Sequence, residues 1–447
     1  MKRERVYKIV KYLLFIIFGI SILFLAFKLR MGLSPDSLYH IEVSRAYSTT
    51  WGIPENTPDT YQWRDITRIP YLYFWSNARI LNLNNDFINE IILLRIINVI
   101  YSLGTVFVTY LISKEILKGK WARLMPVFLL TNTLMFLFLS SSINYDNLGN
   151  LFSVLGIFFF IKFVKSKLSI KYLLLMLIAL CLGSFTKYTV LPLAFILVLL
   201  TCVQIFLERK NIKGIKFGKE LFLLLPLSVL LFFNIQIYGV NLIRYGGLEP
   251  NCEQILTHEQ CLSNGVYYRD KVTMPAIEVN GISHIVEMIV DGERENPIVY
   301  FRYWIWNIVG KVYGIMGDNS LETTDTLKAL YLFFLTIGVV ISVIFRKELK
   351  RLDYYLILTF LFYVLVLFFA QNYNMYLKHN HMYLALQGRY LFPVISIGYV
   401  MYSRVLLSMK KKWLLYSILI PLILLFIYGC LPYFFLNVEN HWFELNF

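Results

Sequence analysis

Charge is scarce in this sequence. Asp, Glu, Lys and Arg together make up 16% of its 447 residues, against about 25% in soluble globular proteins. That scarcity excludes an ordinary soluble domain, and a hydrophobic fraction of 58% excludes a disordered chain. Several chemical signatures are missing as well. There is no Walker A motif, no dinucleotide fingerprint, no paired CxxC and no HExxH, so ATP-driven transport and zinc-peptidase chemistry lack their usual sequence support. Cysteine is sparse, at five residues. Cys181, Cys202 and Cys430 fall in or near apolar runs and read as ordinary buried residues. Cys252 and Cys261 share one polar loop, where they read either as two thiols or, in an oxidising compartment, as a disulfide.

What is abundant is apolar sequence in blocks near the ~20-residue length that spans a bilayer, with a mean hydropathy of +0.60. The net charge of +15 raises nucleic acid as a partner, but its distribution argues against one. Lysine and arginine cluster in short connections between apolar runs, which marks the cytoplasmic face. The expected fold is therefore an all-α polytopic membrane protein, one integral membrane domain over 1–447, with about 11 transmembrane helices. They fall at roughly 9–29, 91–112, 122–140, 147–163, 171–185, 189–207, 221–239, 328–345, 354–370, 391–407 and 413–434. The first reads as a retained signal anchor, because no small-residue cleavage site follows it. Basic "MKRERVYKIVK" puts the N-terminus in the cytoplasm, and the alternation puts the C-terminus outside. Two larger extracytoplasmic loops result, 30–89 with interface helices and 240–326.

Polar stretches sit at the outer ends of these runs. In "MGLSPDSLYHIEVSRAY" (31–47), Pro35 suits a first helical turn that Ser34 caps. A helix there sets Asp36 and His40 one turn apart on one face. Asp36 is placed to accept a proton, or simply to cap its helix. His40 is placed to position an acceptor or a sugar. "YQWRDITRIPYLYFW" (61–75) mixes Arg64, Asp65 and Arg68 with aromatics, which suits a lipid phosphate or an amphipathic interface helix. "SINYDNLGN" holds Asp146 close to the membrane, as a sugar or acceptor contact or as a helix cap. Lys187 in "SFTKYTVLP" and Arg389 in "LQGRYLFP" are cations on the side opposite the basic clusters. A phosphate partner accounts for both, and so do snorkelling and lipid headgroups.

In this order the stretches resemble the GT-C superfamily of multi-pass glycosyltransferases, and within it the group of dolichyl-phosphate-mannose protein mannosyltransferases and the lipid A aminoarabinose transferase. "SPDSLYH", "TRIPYLYFW", "RIINVIYSLGTVFVTYLI", "SINYDN", "SFTKYTVLPLA" and "QGRYLFPV" carry the resemblance, and the middle of 240–326 lies outside it. The resemblance implies a GT-C-like fold, Asp36 as catalytic base, Arg68 and Arg389 on a carrier phosphate, and Asp146 as the acid of the second outer loop. Lys187 joins the phosphate ligands on its charge. The implied reaction moves a sugar from a polyprenyl-phosphate-linked donor to an extracytoplasmic acceptor, a cell-surface glycan, lipid or protein, by inverting displacement in the cell membrane. Membrane lipids are the surrounding partner. The chain departs from the group in having Asp36-Ser37 where many relatives have Asp-Glu, and Pro70 alone where they have tandem proline. Those departures leave a divalent metal open as a cofactor, though the displacement requires none. The competing readings are a transporter or flippase for lipid-linked sugars and a noncatalytic assembly factor.

Overall fold

The structure is a computed structural model that describes residues 2–63, 65–166, 168–209, 218–317 and 319–444. Arg64 and most of the basic 208–220 connection lie outside the described residues. All eleven apolar runs are helical along most of their length. Among the described residues seven helices are long and apolar enough to cross a membrane, or nine if each of two bent pairs counts as one span. The expectation of 11 spans is corrected here by length. Ile170–Thr186 has 17 residues and Phe392–Leu406 has 15, which at 1.5 Å per residue falls short of a ~30 Å hydrocarbon core. The first is stopped where Lys187 turns to extended backbone. The second is entered through a 3-10 turn, Gly388–Leu391. The run at 122–140 is broken at Asn132 and Thr133, and its halves Ala122–Thr131 and Leu134–Ser140 meet at 69°. Thr133 is extended there, with its hydroxyl within 2.6 Å of Tyr399 Oη.

The outer surface of the spans is apolar. Ile20 in the first span and Leu225 in Lys219–Tyr245 are 63% and 73% exposed. Lipid is the solvent that tolerates such faces, because every backbone group is satisfied within its helix. Inside, small residues set the spacing. A methyl group on Gly156 would strike Leu180, so Tyr145–Lys165 and Ile170–Thr186 pack closely only because that position lacks a side chain. The ends of Glu90–Ile116 and Tyr145–Lys165 are locked by Glu115, which pairs with Lys162 at 3.2 Å and Lys165 at 2.6 Å.

The two polar segments hold structure of their own. The first contains the helices Ser37–Ser48 and Leu72–Asn84, packed together through Ile41, Tyr47, Tyr73 and Phe74. The second contains Pro297–Tyr313, a 17-residue helix that buries Tyr300, Trp304 and Ile308. The sequence alone places that stretch in the loop 240–326. Arginine and lysine interrupt its hydrophobicity, so it reads as polar until its buried stripe is seen. Cys252 and Cys261 are joined by a disulfide, their Cα atoms 5.8 Å apart. Of the remaining cysteines only Cys430 is buried; Cys202 lies exposed on a helix surface.

Candidate active site

Four side chains from four separate stretches form a line of alternating charge. Arg389 Nη2 donates to Asp36 Oδ2 at 2.5 Å, and Arg389 Nε lies 3.6 Å from Asp146 Oδ2. Asp146 in turn pairs with the Lys187 ammonium. Arg389 and Lys187 are 2% and 3% exposed, whereas the Asp36 side chain is 50% exposed and opens the line to the outside. Among the described residues Arg389 Nη1 has no hydrogen-bond partner, which leaves a buried guanidinium donor available. Lys187 Nζ lies 4.3 Å above the Tyr145 ring and 4.8 Å above that of Tyr390.

Local sequence explains the assembly. The helix expected from Ser34 begins instead at Ser37, with Asp36 at its N-cap in the left-handed region, φ 58°, and no cap bond from its side chain. That turn frees the carboxylate for Arg389. Left-handed backbone costs a non-glycine residue on the order of 1 kcal/mol, and the turn is held from across the fold. Asn144 Nδ2 donates to the Pro35 carbonyl at 3.0 Å. The same Asn144 caps Tyr145–Lys165 by accepting from the Asp146 N–H at 2.9 Å, so one asparagine fixes both acids. Asn98 steadies that loop through Asn147 at 3.0 Å and the Asn144 N–H at 3.3 Å. Lys187 arrives at the extended residue between Ile170–Thr186 and the next helix. Arg389 is placed by Gly388, where any Cβ would collide with the Lys311 carbonyl of Pro297–Tyr313.

The electrostatics follow from this placement. Burial works against the Arg389 charge, but Asp36 and then Asp146 outweigh it and hold its pKa above the ordinary value. Burial pulls the Lys187 ammonium below its ordinary value, against the support of Asp146. The two acids are thus occupied by two cations. Among the described residues, no three His, Cys, Asp or Glu side chains gather as a metal site requires.

Of the residues singled out in the sequence, the fold brings together Asp36, Asp146, Lys187 and Arg389. Arg68 is not in the line. It is half-buried, its guanidinium forms no ion pair among the described residues, and its carbonyl accepts from Asn241 at 2.8 Å. Its neighbours Ile69 and Pro70 line a small adjoining cleft of about 20 Å³, together with Lys187, Tyr145, Tyr188 and Glu249. His40 lies outside the line as well. It is 0% exposed, 4.4 Å from the Tyr145 ring and boxed by Tyr39, Tyr73 and Phe74. Its ring packs among these aromatic side chains beneath the site. Sequence reasoning missed Asn144, a short polar signal inside a loop read for its aspartate.

The comparisons with known proteins bear on this geometry. Residues 69–233 match the family model described as dolichyl-phosphate-mannose-protein mannosyltransferase, which bears out the resemblance read from the sequence. No curated protein matches the chain by sequence. The fold is similar to that of ArnT from Cupriavidus metallidurans, solved bound to undecaprenyl phosphate, with a TM-score of 0.51 at 13% identity over 92% of this chain. The Archaeoglobus fulgidus oligosaccharyltransferase, solved tethered to an acceptor peptide, gives 0.49 at 13% identity over 95% of this chain and 54% of that one. The chain spans 62% of the length of the ArnT chain it matches. The architecture is that of a multi-pass, all-helical membrane protein with a GT-C-like fold.

Proposed function

We propose that this chain transfers a sugar from a polyprenyl-phosphate donor to an acceptor on the outer face of the membrane, a reading supported by the match of residues 69–233 to the family model described as dolichyl-phosphate-mannose-protein mannosyltransferase. The observation that carries the reading is the Asp36–Arg389–Asp146–Lys187 line. A donor phosphodiester bears one negative charge, and the lipid phosphate that leaves bears up to two. Buried cations therefore bind the leaving group more strongly than the ground state, which is the condition for catalysis. Arg389 meets the phosphate through its unpartnered Nη1, and Lys187 through the ammonium that Asp146 keeps charged. Arg68, on the cleft rim, attracts the same group from the outer side.

A phosphate bound to Arg389 competes with Asp36 for the guanidinium. Asp36, half exposed, then turns to the acceptor hydroxyl and removes its proton as the oxygen attacks the anomeric carbon. The bond to phosphate oxygen breaks with its electron pair, and the configuration inverts. Asp146 stays buried and positions the two cations.

The test is sugar transfer by the purified protein in detergent, supplied with glycosylated undecaprenyl phosphates and a panel of acceptors. Asp36→Asn should lower turnover at least ~100-fold, the scale of acid–base catalysis, while lipid-phosphate binding persists. Near-normal turnover in that variant sinks the base assignment. Lipid binding with no transfer to any acceptor favours a flippase. On this reading the N-terminus is cytoplasmic and the charged line faces outward in the cell membrane.

A further inference from the structure

The helix Gly281–Val290 in the second polar segment carries more apolar surface than its packing uses. Ile285 packs on the cluster built around Tyr300, Trp304 and Tyr376, and Met288, one turn on, is buried. Ile282, Val286 and Val290 recur every fourth residue and form a separate stripe, 80%, 52% and 77% exposed. Ser283 and Glu287 occupy the next arc of the helix and are exposed as well. An apolar stripe with a polar flank is the pattern of a helix that lies in a membrane interface. Water does not favour such a stripe, and a contiguous exposed apolar surface marks a contact with something else.

The neighbouring span sets the height of this helix. Arg351–His379 has 29 residues, about 43 Å at 1.5 Å per residue, which matches the ~40–45 Å of a bilayer with its headgroup layers. Its His379 end therefore lies at headgroup level. Gly281–Val290 is tied to that end from both sides. Before it, Ile277 N–H donates to the Lys378 carbonyl at 3.0 Å. After it, Arg294 Nε donates to the Leu377 carbonyl at 2.9 Å and Glu295 N–H to Tyr376 Oη at 2.8 Å. The lipid face of the span leads to the same place. Leu358, Leu361, Leu365 and Phe369 form an exposed row along it. Beside that row the Phe368 and Phe301 rings pack with centroids 5.6 Å apart, and Phe301 and Ile298 are exposed at the start of Pro297–Tyr313. Exposed apolar surface thus extends from the span into the segment that carries Gly281–Val290. We infer that this helix lies along the bilayer, with Ile282, Val286 and Val290 dipped into the acyl boundary of the leaflet at the His379 end of the span, the outer leaflet in the proposed orientation. Lipid is the occupant because the stripe is held at headgroup height beside a face already in lipid. The inference concerns how the second segment is seated and does not depend on the sugar-transfer reading.

Nitroxide labels on the full chain test this contact. The protein is placed one copy per nanodisc in phosphatidylethanolamine and phosphatidylglycerol. Cys181→Ala/Cys202→Ala removes the two cysteines that are not buried, and the disulfide and buried Cys430 stay in place. In that background Val286→Cys, Glu287→Cys and Ile20→Cys are labelled one at a time, Ile20 being the lipid reference on the first span. Collisions with oxygen, which concentrates in lipid, and with a water-soluble nickel complex are then compared. The label at 286 should favour oxygen over nickel as the label at 20 does, and the label at 287 should favour nickel. Nickel access at 286 equal to that at 287 places the stripe in water and overturns the inference. A label at 286 shielded from both reagents means that protein covers the stripe, and overturns it too. Amide exchange gives a second reading without labels. In Ile282→Ser/Val286→Ser/Val290→Ser, exchange across 281–290 in nanodiscs should quicken severalfold over wild type; an unchanged rate overturns the inference.

Discussion

Asp146 and Lys187 show at the level of single residues why a buried charge needs its partner. Removing one member leaves the other uncompensated, at a cost of about 3–5 kcal/mol. Asp146→Asn should therefore lower the thermal midpoint in detergent sharply, and Asp146→Asn/Lys187→Met should recover most of the loss. A double variant no more stable than the single one would contradict the pairing. The stability of the wild-type chain also depends on pH through Lys187. Burial depresses the Lys187 pKa below its ordinary 10.5, so the unfolded chain takes up a proton that the folded one resists. Stability then falls as pH drops from that of a free lysine to the Lys187 value, and stays flat below it. Raising the pH through that window should raise the wild-type thermal midpoint, measured as midpoint against pH. Arg389→Lys keeps a charge but loses the planar fork that reaches Asp36 and Asp146 together. Its turnover should fall nearly as far as that of Arg389→Ala. The charged residues themselves were legible in the sequence as outer cations and acids. Their order in one line was not, since it depends on a left-handed turn at Asp36 and on the asparagine that bridges to Pro35.

Among the elements, the helix Pro297–Tyr313 does the least visible and most consequential work. Its Lys311 carbonyl lies against Gly388, and Lys311 Nζ donates to the Leu386 carbonyl at 2.8 Å. The short stretch before Arg389 is thus seated on that helix. Gly388→Ala should force the stretch outward and pull Arg389 from its acids, cutting transfer at least about tenfold through misplacement alone. Bare-lipid binding and transfer in that variant should fall together, and an unaffected rate would mean that the seat is not needed. Periodicity located the apolar helices because lipid-facing and core-facing residues are both hydrophobic. It passed over Pro297–Tyr313, whose buried aromatic stripe is interleaved with Arg302, Asn307 and Lys311, and it passed over the break at Thr133, where a long apolar run conceals an extended residue.

For the whole molecule, the two chain ends report on topology. Arg30 N–H donates to the Trp442 carbonyl at 2.9 Å, and Glu444 N–H to the Lys28 carbonyl at 2.9 Å. The C-terminal tail therefore meets the far end of the first span. Reporters fused before Met1 and after Phe447 should register opposite sides of the membrane; signals from the same side would break the single pass of the first helix. Composition was enough to read a polytopic helical protein, because bilayer thickness forces long apolar runs. It could not yield the count of spans, which turns on where Lys187 and the Gly388 turn cut two helices short.

The pair between Asp36 and Arg389 has a kinetic meaning beyond chemistry. A site that grips a doubly charged lipid phosphate risks being poisoned by its own product. Asp36 is an internal competitor for the same guanidinium, always present at high local concentration. On the proposed mechanism it reclaims Arg389 after each turnover and helps expel the spent carrier into the bilayer. The carboxylate proposed to start the reaction would also clear the site for the next cycle.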